Sequence, residues 1–225
     1  MVGAILVGAG QGRRLGQDRP KALISVGGYP LFFYSLKTFS SVPAIEEIVL
    51  VLPASCLREK EKWLVNWSGL KKVVAGGQER HESVWKGLQH LSRKCEIVLI
   101  HDVARPLTDR GLIERVIQRT QQRGACVPVV AVTDTVKRVD GGYVRVSIPR
   151  ENLVAVQTPQ GFRRDLLEKA FRLARRTGCY GSDDAFLVEQ LGFPVSVVPG
   201  ENQNIKVTRP WDLALLNIIL KEKEI

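Results

Sequence analysis

The sequence predicts an α/β fold, a mainly parallel sheet with helices packed on both faces. Short runs rich in Val and Ile alternate with stretches of helical spacing, the pattern of strand–helix–strand units. Sharp turn signals, the first of them glycine-rich, follow several of the runs. The length, 225 residues, suits one large α/β domain that buries a core without disulfide or metal staples.

The elements follow in order. Buried strands are expected over 4–7, 48–52, 71–75, 97–100, 125–132 and 195–198. Helical spacing covers 31–39, 58–67, 79–91 and 112–122. Val84, Leu88 and Leu91, for example, fall on one face at i, i+4 and i+7. A last helix follows Pro210, a residue tolerated in a first turn because the early N–H groups there have no intrahelical partner. Leu213, Leu216 and Leu220 are expected on its buried side. One stretch breaks the alternation: 135–139 and 143–148 flank Asp140-Gly141-Gly142, a hairpin signal. On pattern alone this is either an edge hairpin or an arm that packs on a second subunit.

Composition narrows the function classes. The chain has 33 Lys+Arg against 23 Asp+Glu, a net +10, which invites a nucleic-acid reading. The basic residues are spread along the chain without an interleaved aromatic stripe, however, and a positive field equally steers small polyanions inward. No nucleic-acid partner is expected. The longest apolar run, 125–132, is far short of the about 20 residues of a membrane helix. Met1-Val2-Gly3-Ala4 runs straight into the first strand, so neither a leader nor a membrane partner is expected. Cys56, Cys95, Cys126 and Cys179 form no C-x-x-C pair, which points to a reducing compartment, the cytoplasm.

In a parallel sheet, ligands bind beyond the carboxyl ends of the strands, so the residues there carry the chemistry. The first strand is followed by Gly8-Ala9-Gly10-Gln11-Gly12-Arg13-Arg14-Leu15-Gly16. Alternate glycines let backbone N–H groups approach a phosphate. The loop is neither a dinucleotide fingerprint nor a P-loop. Its Arg pair, followed by Pro20-Lys21, suits a triphosphate whose charge must be neutralised; the plainer reading is a glycine-rich turn with solvated arginines. Gly76-Gly77-Gln78-Glu79-Arg80-His81-Glu82-Ser83 joins a strand to a helix, either as ligand contacts or as routine capping.

His101-Asp102-Val103-Ala104-Arg105-Pro106 places a carboxylate at a strand end, where it can hold Mg²⁺ or a ribose hydroxyl, or simply pair with Arg105. His101 reads as a hydrogen-bonded core residue. Asp134-Thr135-Val136-Lys137-Arg138, Pro149-Arg150 and Gln157-Thr158-Pro159-Gln160 each read as turn chemistry, and Ser182-Asp183-Asp184 as a helix N-cap. Asn204-Ile205-Lys206-Val207-Thr208 is expected to be a short apolar strand. A lysine inside it is costly unless an anion compensates it, so Lys206 is a functional candidate.

Taken in order, these segments closely resemble the 2-C-methyl-D-erythritol 4-phosphate cytidylyltransferase family, over essentially the whole chain. The resemblance implies a Rossmann-like three-layer nucleotidyltransferase domain over 1–225 with a hairpin arm at about 133–156. It implies transfer of CMP from CTP to 2-C-methyl-D-erythritol 4-phosphate, with Mg²⁺ or another divalent cation. By motif, Arg14 and Lys21 would stabilise charge on the α-phosphate, and Arg150 and Lys206 would aim the acceptor phosphate. Gly8, Ala9, Gly10, Gly12, Gly77, Arg80, Ser83 and Asp102 would bind CTP, with Asp102 near the metal. Arg105, Thr135, Arg150, Thr158 and Lys206 would bind the acceptor.

The resemblance also implies a homodimer joined by the arm, so that Thr135 and Arg150 serve the partner's site. Gly8 and Leu15 stand where the family usually has Ala and Met, Ala22 where Gln is common, and Gln203 where an Asp usually precedes Asn-Ile-Lys. The rival readings are a ribitol-5-phosphate cytidylyltransferase, a sugar-phosphate nucleotidyltransferase using another base, a silent nucleotide sensor and a basic nucleic-acid-binding module.

Overall fold

The computed structural model describes residues 1–10, 12, 19–57 and 67–222. Its strands are β1 (Val2–Val7), β2 (Ser25–Val26), β3 (Tyr29–Pro30), β4 (Ile45–Leu52), β5 (Leu70–Ala75) and β6 (Ile97–Asp102). They continue with β7 (Ala125–Ala131), β8 (Val136–Asp140), β9 (Tyr143–Ile148), β10 (Val154–Val156), β11 (Gln160–Arg163) and β12 (Ser196–Pro199). The helices are α1 (Leu31–Ser40), α2 (Arg80–His90), α3 (Arg110–Arg123), α4 (Arg164–Thr177), α5 (Asp184–Glu189) and α6 (Pro210–Glu222).

Among the described residues the main sheet runs β10-β7-β11-β6-β1-β4-β5, with β12 paired to β7. β1 lies parallel between β4 and β6, and β5 is parallel to β4. β11 runs antiparallel between β6 and β7, and β10 antiparallel to β7. The sheet is therefore mostly parallel around the first strand and mixed beyond β6.

Burial on both faces explains the unbroken apolar runs. Successive side chains of a strand point to opposite sides. In β1, Ala4 and Leu6 enter a core with Phe32 and Leu36 of α1 and Ile113 of α3. Ile5 and Val7 enter another with Leu88 of α2, Phe171 of α4 and Leu187 of α5. That is the three-layer arrangement. α6 packs apart from both, through Leu216 and Leu220 against Val26 and Tyr34; Leu213 is only half-buried there.

Several expectations need correction. The segment 204–208 is not a strand, because its backbone is used otherwise: the Val207 N–H donates to Ala104 O at 2.8 Å, and the Asn204 side chain is buried in the loop. β10, β11 and α4 were not anticipated, whereas α5 starts at the helix N-cap expected over 182–184. The expected helix over 58–67 lies outside the described residues except for Trp67, which is not helical. The hairpin forms as β8–β9, with Asp140 opposite Tyr143. Gly141 and Gly142 take φ of 56° and 82°, backbone that side-chain-bearing residues rarely adopt and that a two-residue hairpin turn requires.

Candidate active site

An open cleft of about 170 Å³ lies at the carboxyl ends of β1, β5 and β6. Gly8, Ala9 and Gly10 form one side as the chain leaves β1. Gly77, Arg80 and Ser83 form another, at the start of α2. Asp102, Lys21 and Lys206 complete the polar lining, while Ala22, Val103 and Ala104 supply apolar surface.

The floor depends on close backbone approach. A Cβ at Gly76 would lie 2.2 Å from Ala9 Cβ and 2.8 Å from Ser83 Oγ, so only glycine lets the end of β5 meet the loop after β1. Ser83 Oγ accepts from Gly77 N–H at 3.0 Å and donates to Glu79 O at 3.2 Å, pinning the turn to the helix it opens. The Glu82 carboxylate accepts from Gln78 N–H and Glu79 N–H, closing the reciprocal cap at the same end. Gly12 packs against Lys21, where a Cβ would lie 2.9 Å from Lys21 Cβ. Arg14, the other cation expected on the α-phosphate, lies outside the described residues.

Asp102 is the centre of the charge arrangement. Its Oδ1 accepts from Arg80 Nε at 3.0 Å and its Oδ2 pairs with Lys206 Nζ at 2.6 Å. The alternative pairing with Arg105 is not formed. Arg105 Nη1 donates to Asn204 O at 2.7 Å and Nη2 to Val156 O at 3.4 Å, so this residue braces the wall behind the cleft. Arg80 Nη1 donates to Asp184 Oδ2 at 2.7 Å. Burial opposes ionisation of both carboxyls. At Asp102, Arg80 and Lys206 overcome it and hold the group well below the usual carboxylate range. At Asp184, burial prevails over Arg80 and raises the carboxyl from its ordinary value.

His101 behaves as the core residue expected. It is fully buried, its Nδ1 lies 3.0 Å from Thr158 Oγ1, and its Nε2 lies 3.3 Å from Ser35 Oγ and 3.2 Å from Arg105 O. Burial pushes the ring down to about 3, so it is neutral at physiological pH. The Thr158 hydroxyl also accepts from Asp102 N–H at 3.2 Å. Thr158, expected at the acceptor, is thus buried behind Asp102 and fixes that strand end.

Asn204 donates to Thr158 O at 2.9 Å and accepts from Thr108 Oγ1 at 2.8 Å, which ties the loop carrying Lys206 to the same end of the sheet. Lys206 was expected in an apolar strand. Its side chain is instead 43% exposed on a loop, and the compensating anion is Asp102. Thr135 and Arg150 are exposed on and beside the hairpin and do not line this cleft; Arg150 Nη1 donates to Thr133 O.

Sequence reasoning missed Asp184. Asp183 is the cap it anticipated, its Oδ1 accepting from Phe186 N–H at 3.1 Å. Asp184, one residue on, turns inward to Arg80. A second acid where one cap suffices was the available signal.

Among the described residues no group of three His, Cys, Asp or Glu side chains is placed to hold a metal ion. Of the described residues, Asp102 and Glu79 are the carboxylates on the cleft wall, and both Asp102 oxygens already face cations. That donor set fits an ion that arrives with its own ligands rather than one caged by protein.

The family model described as "IspD: 2-C-methyl-D-erythritol 4-phosphate cytidylyltransferase" matches residues 2–222. The 2-C-methyl-D-erythritol 4-phosphate cytidylyltransferase of Geobacillus thermodenitrificans is 43% identical, over 98% of this chain and 97% of its own length. The crystal structure of the enzyme of that name from Thermus thermophilus is 38% identical, covers 98% of both chains and superposes with a TM-score of 0.80. The 4-diphosphocytidyl-2C-methyl-D-erythritol synthase of Anaerococcus prevotii superposes with a TM-score of 0.87 at 30% identity, again over 98% of both chains.

Proposed function

Because the chain belongs to the 2-C-methyl-D-erythritol 4-phosphate cytidylyltransferase family, we propose that it transfers CMP from CTP to 2-C-methyl-D-erythritol 4-phosphate. The products are 4-diphosphocytidyl-2-C-methyl-D-erythritol and pyrophosphate. The observation that carries the reading is the glycine-floored cleft lined by Lys21, in which Arg80 and Lys206 pair with one carboxylate, Asp102. It offers close backbone approach on one side and cationic charge on the other, as a nucleoside triphosphate and a phosphate monoester together require.

A phosphate oxygen of the acceptor attacks the α-phosphorus of CTP, a new P–O bond forms, and the bond to the β-phosphate oxygen breaks. A phosphate monoester is already a competent nucleophile near neutral pH, so no general base is needed. The site agrees with this economy: His101 is buried with both ring nitrogens occupied. Catalysis then rests on in-line positioning and charge neutralisation. Lys21, with Arg14, meets charge growing on the α-phosphate. Arg80 and Asp102 address the ribose side of the nucleotide, and Lys206 exchanges its pairing with Asp102 for the acceptor phosphate. Gly8, Ala9, Gly77 and Ser83 frame the cytosine, and a base site walled this closely by backbone would favour a pyrimidine over a purine.

A divalent cation, Mg²⁺ in the first instance, would enter on the triphosphate, with Asp102 as the carboxylate able to join it. When bound, it neutralises charge on the departing pyrophosphate. The hairpin exposes Val139, Tyr143 and Val144 at 58%, 72% and 60%, an apolar surface that supports its role as an intersubunit arm. In a homodimer built this way, Thr135 and Arg150 reach the partner's cleft and help to hold its acceptor. The free thiols suit a reducing compartment, and the enzyme is assigned to the cytoplasm.

Pyrophosphate release in the presence of the acceptor, compared across CTP, UTP, GTP and ATP, tests the reading. CTP is expected to be used and both purine nucleotides rejected; turnover with ATP or GTP at the rate with CTP would overturn it.

A further inference from the structure

We propose that Asp184 is a positioning residue for nucleotidyl transfer, acting through Arg80 on Asp102 and Lys206; the proposal rests on the reading of the cleft given above. Asp184 does not line the cleft. Its side chain is 1% exposed, and Oδ2 accepts from Arg80 Nη1 at 2.7 Å. The next link uses a different atom of the same rigid guanidinium, Nε, which donates to Asp102 Oδ1 at 3.0 Å. The last link uses the other oxygen of that carboxylate, Oδ2, at 2.6 Å from Lys206 Nζ. Because a guanidinium is planar and its donors diverge in a fixed fork, holding Nη1 at one carboxylate aims Nε at the other. Asp102 is turned in consequence, and Oδ2 is presented to Lys206.

The far end of this relay is itself anchored. Gln160, 1% exposed on β11, accepts through Oε1 from Asp184 N–H at 3.2 Å and Ala185 N–H at 3.1 Å. Its Nε2 donates to Asp183 Oδ2 at 2.7 Å. Gln160 lies opposite Ile100 of β6, the strand that ends in Asp102. Both ends of the relay are therefore built on one strand pair, which fixes the separation that Arg80 spans.

Charge supports a role beyond packing. Arg80 and Lys206 face Asp102 and Asp184, so the four formal charges cancel. A capping role is already filled by Asp183. A buried carboxylate with no part in the cap, joined to the cleft by one arginine, is costly to keep unless the arginine's placement matters.

The test is a double-mutant cycle between Asp184→Asn and Arg80→Gln, read as kcat and KM for CTP and for the acceptor. Asp184→Asn is expected to lower kcat/KM by roughly ten- to hundredfold, as small misplacements of reacting groups do. In the Arg80→Gln background the same change should cost less than about twofold, because its route to the site is gone. Wild-type kinetics in Asp184→Asn, or an equal loss in both backgrounds, would overturn the proposal. Should Asp184→Asn fail to fold, the double variant carries neither buried charge, and it must match Arg80→Gln.

A second readout needs no turnover. In the nucleotide-free protein, the Arg80 guanidinium should show restricted rotation by NMR in the wild type and free rotation in Asp184→Asn. Free rotation in the wild type would overturn the clamp. A wild type that releases no pyrophosphate but shows the restricted guanidinium would defeat the activity reading and leave the clamp standing.

Discussion

At Gly76 a hydrogen stands where any other residue would place a carbon 2.2 Å from Ala9 Cβ and 2.8 Å from Ser83 Oγ. Neither neighbour is the end of a long flexible side chain, so the added methyl must move backbone. Gly76→Ala is expected to cost about 1–3 kcal/mol by overpacking, read as a lower urea midpoint. It should also weaken CTP binding by roughly tenfold, read by calorimetry; unchanged affinity would show that the floor does not shape the nucleotide pocket. Single residues differ in how plainly the sequence announces them. Asp102 was legible because a carboxylate directly after a Val/Ile run sits where such sheets bind ligands. Lys206 was noticed for a reason the structure corrects: it lies on an exposed loop and pairs with Asp102. Asp184 was hidden because the acid left over beside the cap does not itself say that it turns inward to meet Arg80, 104 positions away.

Elements were legible where the pattern was strong and local. The alternating apolar runs of β1, β4, β6 and β7 and the stripes of α2 and α3 correspond to what the structure forms. β10 and β11 were hidden because they are short, three and four residues, and take their strand character from β7 and β6 beside them. α4 was missed for a different reason. Its stripe of Leu166, Leu167, Ala170, Phe171 and Ala174 is set among seven charged residues, which obscure its apolar period.

The β8–β9 hairpin is the element with the largest consequence for function, since it carries Thr135 and Arg150 away from their own cleft. If the arm serves the partner, Lys21→Ala and Arg150→Ala homodimers should each be nearly inactive. Co-expressed and purified as a heterodimer, they should regain roughly half the activity of a wild-type dimer, because one of two symmetry-related sites then holds both native residues. No recovery in the heterodimer would return Arg150 to its own subunit's site.

For the whole molecule, the three-layer architecture followed from alternation alone, because a sheet covered on both faces needs apolar side chains in both directions along each strand. What alternation could not convey was the mixed half of the sheet. The order in which β7, β10, β11 and β12 join β6 depends on long-range pairing that no local pattern encodes. The cleft benefits from that hidden half: β11 brings Gln160, and with it Asp184, to the strand that carries Asp102. The reaction proposed for this assembled cleft is the joining of CMP to a methylerythritol phosphate. Its most direct test is pyrophosphate release from CTP and Mg²⁺ with either 2-C-methyl-D-erythritol 4-phosphate or ribitol 5-phosphate, beside a control lacking acceptor. Release that requires the methylerythritol phosphate is the predicted result; release with ribitol phosphate in its place, or none with either from folded protein, would contradict it.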